Sequence, residues 1–167
     1  MPSPRRLTLL RHARAHPADA GTADHARNLD PAGEREAEHV ARQLLATGIR
    51  PSLILCSPAA RAMQTAGIVA RRLGYPREFL QREAGLYLAS ADDLLQVIAG
   101  QDDAFRDVLL CGHNPGLSEL AERLTASGTG SLPTGAAVVI ETRAAGWSSL
   151  QRGGLRHRCL PSDSTTD

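Results

Sequence analysis

The chain contains no lysine: all 19 residues counted as Lys or Arg are arginines. That absence excludes phosphate loops that end in lysine, and it excludes Schiff-base or pyridoxal chemistry, which needs a lysine amine. Anions must be held by guanidinium forks, backbone amides or histidine. A GC-rich genome would account for the composition without any function, and the exclusion holds in either case. Aromatic residues are also scarce, with one Trp, two Tyr and two Phe in 167 residues, so a stacking platform for nucleic acid is missing. The formal net charge is +1, which supplies no basic surplus for a grip on nucleic acid or an anionic membrane. No apolar run approaches membrane-spanning length, and Met1 to Arg6 leads straight into an apolar strand without a signal-peptide core. Cys56, Cys111 and Cys159 form an odd set with no CxxC spacing. They read as buried thiols of a reducing compartment, and the expected location is the cytoplasm. A chain of this length can bury about 70% of its unfolded surface, so it needs neither disulfides nor a structural metal.

What is present is an alternation of short apolar runs and longer helical stretches. Leu7 to Leu10 suits a buried strand. After Asp30-Pro31, a cap and first helical position, Ala37, Val40, Ala41, Leu44 and Leu45 share one helical face that ends at Gly48. Leu53 to Cys56 predicts a second strand. Ser57-Pro58 then reads as cap and first turn of a helix carrying Ala62, Ala66, Val69, Ala70 and Leu73, closed by Gly74. A third helix is expected from Ser90, with Asp93 three residues on and Leu94, Leu95, Val97 and Ile98 along it. Asp107 to Cys111 predicts a strand, Pro115 opens a helix with Leu117, Leu120, Ala121 and Leu124, and Ala136 to Ile140 predicts a last strand. The pattern defines an α/β fold: one three-layer domain over residues 1–160, with a mostly parallel central sheet covered by helices on both faces. Residues 161–167 are polar, aperiodic and expected to be disordered.

In open α/β sheets ligands bind beyond the carboxyl ends of the strands. The residues there are Arg11-His12, then Ser57 with Arg61 one turn into a helix, then Gly112-His113-Asn114-Pro115-Gly116. Each alone has an ordinary structural explanation. Arg61 stands out, because the positive end of a helix dipole disfavours a cation. Two guanidinium forks, two imidazoles and helix N-terminal amides together describe a site for a phosphoryl dianion. An imidazole among them can attack phosphorus and carry the phosphoryl group covalently, with the arginines stabilising its equatorial oxygens.

These residues resemble the histidine phosphatase superfamily (phosphoglycerate mutase-like), and within it the SixA-type phosphohistidine phosphatases. Leu7 to Ala13 is similar to the opening strand with its Arg-His signature, and Asp24 to Gly33 to the segment before the first helix. Ser57-Pro58-Ala59-Ala60-Arg61-Ala62-Met63-Gln64-Thr65-Ala66 is similar to the second motif, and Gly112 to Gly116 to the third. The resemblance implies that His12 is the phosphorylated nucleophile and that Arg11, Arg61 and His113 complete the phosphate pocket, with no cofactor. Ala13 stands where the broad superfamily has glycine, as is common in the SixA-type branch, and Thr134-Gly135-Ala136 also resembles that branch. Larger members place a glutamate general acid between the second and third motifs. Glu83 is the carboxylate nearest that place, although a surface Glu beside Arg82 is an equally ordinary reading.

The expected activity is therefore that of a metal-independent phosphatase working through phosphohistidine, with a protein phosphohistidine as favoured substrate. The alternatives are a small-molecule phosphomonoesterase acting on a sugar phosphate or nucleotide, and a catalytically silent phosphate-binding module. His12 and His16 share the spacing of a zinc pair, but Pro17 and the preceding strand oppose a helix there, so no metal site is expected. His25, His39 and His157 read as surface residues, and Arg152, Arg156 and Arg158 as a solvated face or a site for an acidic partner.

Overall fold

The computed structural model describes residues 3–161. Its elements follow in the order β1 (Arg5–Arg11), α1 (Pro31–Ala46), β2 (Leu53–Cys56), α2 (Ala60–Leu73), β3 (Gln81–Arg82), α3 (Ala91–Ala99), β4 (Asp107–Gly112), α4 (Gly116–Thr125), β5 (Ala137–Thr142) and β6 (Gly154–Cys159). Six strands form one sheet in the order β3-β2-β4-β1-β5-β6. The first four run parallel, β5 runs antiparallel to β1, and β6 runs antiparallel to β5.

The apolar strands are buried on both faces, as a parallel sheet between two helical layers requires. Leu7, Leu9, Leu53, Leu55, Val108 and Leu110 face α3 and α4. The alternate residues Leu10, Ile54, Cys56, Leu109 and Cys111 face α1 and α2. All three cysteines are buried and unpaired. Among the described residues no helix is long and apolar enough to cross a membrane.

Helix starts mostly fall where side-chain chemistry predicts. Asp30 caps α1 by accepting from the N–H of Gly33 at 2.7 Å, and Ser90 caps α3 by accepting from Asp93 at 3.1 Å. Gly74 ends α2 in the left-handed conformation at φ 73°. Gly33 is required for a different reason: a Cβ there would lie 1.9 Å from the carbonyl oxygen of Arg14. The first turn of α1 thus rests directly on the backbone that leaves β1.

Two expectations need correction, and one edge strand is added to those assigned from the sequence. Ser57 does not cap α2, which begins at Ala60 behind an Ala59 without a side-chain cap; the Ser57 hydroxyl accepts from Ala59 N at 3.3 Å, ahead of the helix, and also meets His113. Leu45 does not join the buried stripe of α1 and is 53% exposed. The sheet does not end at β5: β6 adds an edge strand whose residues are exposed up to Arg158. It carries Arg156, His157 and Arg158, with Arg156 paired to Glu141 at 3.1 Å. Of the polar tail only Pro161 is described; residues 162–167 lie outside the described residues.

Candidate active site

The carboxyl ends of β1, β2 and β4 adjoin because β4 sits between β1 and β2. Arg11 lies opposite Gly112, and Cys56 opposite Cys111. That register brings the residues after each strand to one place, where a cavity of about 430 Å³ is lined by Arg11, His12, Arg61 and His113. Three sequence motifs separated by up to 102 positions thus meet at one sheet edge.

His12 is held by its backbone and its ring. Its N–H donates to Gly112 O at 3.1 Å, and its carbonyl accepts from Gly135 N at 3.0 Å. Nδ1 lies 2.8 Å from Ala13 O. A carbonyl can only accept, so Nδ1 carries the proton and Nε2 keeps its lone pair. Burial pushes the His12 pKa down to about 4, opposed by the Ala13 bond and assisted by Arg61 and Arg11. The ring is neutral at pH 7 and nucleophilic at Nε2.

His113 is 2% exposed and its ring centroid lies 5.2 Å from that of His12. Its Nε2 is 2.7 Å from Ser57 Oγ, and its Nδ1 is 3.5 Å from a guanidinium nitrogen of Arg61. Guanidinium only donates, so Nδ1 accepts and the Nε2 proton is directed at Ser57. Burial, then His12 and Arg61, hold the His113 pKa down at about 3.

Arg61 is almost fully buried in the first turn of α2. It donates to the Asp24 carbonyl at 2.8 Å and to Asp24 Oδ2 at 3.1 Å. Arg11 donates to Leu132 O at 2.9 Å, and burial lowers its pKa against the opposing field of Glu36. Each arginine keeps a buried Nε–H with no hydrogen-bond partner.

Several residues join these four that sequence reasoning gave no role. Asp24 and Arg27 line the cavity as a pair 2.9 Å apart, three positions apart in a short turn; an Asp-x-x-Arg spacing is a signal for such a pair. The Asp24 carboxyl is held well below its usual range, first by the Tyr87 hydroxyl and then by Arg27 and Arg61. Asn114 donates to the same Leu132 carbonyl as Arg11, at 2.9 Å, and accepts from Ser118. Glu36 accepts from Arg14 N at 2.9 Å and from the Thr134 hydroxyl at 3.3 Å, bracing the chain on both sides of His12.

Glu83 is not brought into this group. It does not line the cavity, its N–H donates to Cys56 O at 2.9 Å, and its carboxylate accepts from Gln81 at 2.6 Å. The cause is the brevity of β3, which ends at Arg82 and turns at once into a helical turn over Ala84–Leu86. Among the described residues Asp24 is the one carboxylate in the lining. No group of three or more His, Cys, Asp or Glu among the described residues is placed to hold a metal ion.

The fold and the cluster define an α/β domain with a cavity at its sheet edge lined by arginines and histidines. Comparison with known proteins agrees. The family model for the histidine phosphatase superfamily (branch 1) matches residues 7–85. A crystal structure named as a phosphohistidine phosphatase SixA from Agrobacterium tumefaciens superposes with a TM-score of 0.81 at 32% identity, covering 95% of this chain and 99% of that one. A structure of the protein histidine phosphatase SixA with tungstate has the same fold at TM-score 0.78 and 21% identity, covering 93% and 97%. Among curated proteins, an uncharacterized chloroplastic protein of Arabidopsis thaliana is 33% identical over 72% of this chain and 59% of its own length. An uncharacterized protein of Mycobacterium leprae is 38% identical over 64% of this chain and 63% of its own. The chain spans about three fifths of the length of these two curated relatives. It belongs to the histidine phosphatase superfamily.

Proposed function

We propose that this member of the superfamily hydrolyses protein phosphohistidine through a covalent intermediate on His12. The observation that carries the reading is the tautomer of His12: Nδ1–H is committed to Ala13 O, so the neutral ring presents Nε2 to a cavity walled by Arg11 and Arg61. In the first step the Nε2 lone pair forms the new P–N bond while the bond from phosphorus to the leaving imidazole breaks; that imidazole takes the electron pair and leaves neutral, with a proton from solvent on its other nitrogen. In the second step water attacks phosphorus, the P–N bond to His12 breaks, and inorganic phosphate leaves with the proton balance met by solvent. Arg11 and Arg61 hold the equatorial oxygens throughout, so the positive charge is supplied by protein side chains. Charge on the transferring group also raises the affinity of the His113 ring for a proton, so that Nδ1 can become a further donor.

The lack of a protonated carboxyl in the cavity lining, among the described residues, favours a phosphoramidate substrate. Asp24 lines the cavity but is held as a carboxylate, so it has no proton to give at neutral pH. An alkoxide leaving group needs such a proton, whereas the imidazole of a phosphohistidine, already protonated on its other nitrogen or easily so, departs without much help from a protein acid. A second reading, a small-molecule phosphomonoesterase, is favoured by one observation. A mycobacterial glucosyl-3-phosphoglycerate phosphatase has the same fold at TM-score 0.68 and 17% identity.

The test is to incubate the protein, with a chelator present, with a phosphohistidine protein and with aryl and alkyl phosphates. Rapid turnover of the phosphohistidine protein and acid-labile label trapped on His12 are expected, and both should vanish in His12→Ala with the fold intact. Acid-stable label on Ser57 would refute the intermediate, and turnover confined to esters would refute the substrate.

A further inference from the structure

Leu88 is in the wrong conformation and the wrong environment for a leucine. Its φ is 49°, in the left-handed region that leucine seldom adopts, and the residue is 57% exposed. Glycine or asparagine would suit the backbone better, and a polar residue would suit the solvent better. Such outliers persist where the surroundings force them, and they gather at ligand sites.

Here the forcing is visible on both sides. Leu86 is fully buried in the core, and the Tyr87 hydroxyl is bonded to Asp24. On the other side Ala89 is pressed against α4, where a Cβ on Gly116 would come within 2.0 Å of the Ala89 carbonyl oxygen. Ser90 then caps α3. The chain has one residue in which to turn between these anchors, and that residue is Leu88.

The turn places Leu88 in the lining of the cavity that holds His12 and His113. Apart from Ala15, every other lining residue described is polar or charged. A phosphoryl group has no use for an apolar neighbour. Beside Leu88, the Tyr87 ring stands edge-on to His113 with centroids 5.5 Å apart at 86°. From this juxtaposition we infer that Leu88 is a specificity-determining residue: its side chain packs against a flat, unsaturated leaving group bonded directly to the phosphorus, such as an imidazole or aryl ring. The inference rests on the phosphoryl group binding among Arg11, His12, Arg61 and His113, and it deepens that reading by naming the leaving-group class.

The experiment compares Leu88→Gly, Leu88→Asn and Leu88→Met with the parent chain. Each is assayed on p-nitrophenyl phosphate and on glycerol phosphate, with vanadate inhibition and thermal midpoint measured alongside. The ratio of kcat/KM for the aryl over the alkyl ester should fall about tenfold in the Gly and Asn variants, chiefly through KM, which is the expected size of a lost apolar contact. Met should restore the ratio. The thermal midpoint should rise in the Gly variant as the backbone strain is relieved, and vanadate should bind each variant within about twofold of the parent. An unchanged ratio, or a lowered midpoint with equal loss on both esters, would overturn the inference. If the parent fails on phosphohistidine, the protein substrate is lost while the aryl-to-alkyl ratio still decides the role of Leu88.

Discussion

Ser57 Oγ and His113 Nε2 lie 2.7 Å apart, tying the first residue beyond β2 to the first beyond β4. Both side chains are buried. The serine accepts from His113, so the lone pair of the imidazole is kept on Nδ1, toward Arg61. Ser57→Ala would leave a buried N–H without a partner, and the stability should fall by about 1–3 kcal/mol. The ring would also lose the bond that sets its tautomer, so kcat should drop more than KM rises. Chemical denaturation and steady-state kinetics on one preparation check both. A normal kcat in a destabilised Ser57→Ala would assign the bond to folding alone.

The two histidines set the acid behaviour. Their pKa values lie near 4 and 3 in the folded chain, against 6.5 when unfolded. Both are depressed, so their contribution to stability is complete above pH 6.5 and is lost as the pH falls toward 4 and then 3, where the unfolded chain holds more protons. Activity follows the folded value: the Nε2 lone pair of His12 survives until about pH 4. The acid limb of kcat/KM, corrected for ionisation of the substrate, should therefore centre near 4. A limb centred at 6.5 would mean that the ring is solvated and not poised as described. Vanadate, whose charge favours imidazolium, should bind more tightly as the pH falls below neutrality.

Glu83→Gln should change little. The carboxylate lies off the cavity and bonds to Gln81. Proton donation by a general acid is worth about 10² to 10⁴ in rate, so a catalytic Glu83 would reveal itself on an alkyl phosphate. Equal kcat values for parent and variant on phosphohistidine, aryl and alkyl substrates are expected. A selective loss on the alkyl ester would return Glu83 to the chemistry.

The strands and helices that carry the site were legible because each pairs an unbroken apolar run with a turn signal. Leu53 to Cys56 coincides with β2, and Asp30 caps the helix it was expected to cap. The four pocket residues were legible from their places just beyond strand ends. What escaped was determined by tertiary contact. Nothing local marks Gly154 to Cys159 as a strand, since its residues alternate neither in polarity nor in burial and it forms only against β5. Ser57 followed by Pro58 is a sound cap signal, but α2 begins only at Ala60, and the hydroxyl that accepts from Ala59 N also bonds an imidazole from 56 residues away. Asp24 and Arg27 sit in a segment without periodicity, and their importance depends on Arg61 reaching them from another element.

The close seat of α1 on the chain leaving β1 has a consequence for how this enzyme tolerates change. Gly33 touches the backbone of Arg14, and one turn later Glu36 grips Arg14 N and Thr134. The same helix therefore sets the stance of the chain around His12 from behind, although none of its residues reaches Arg11, His12, Arg61 or His113 by hydrogen bond among the contacts described. Substitutions in the buried face of α1, at Ala37, Val40 or Leu44, are expected to lower turnover as well as stability. For a lineage accumulating substitutions, α1 is a throttle on catalytic rate as well as a wall of the core.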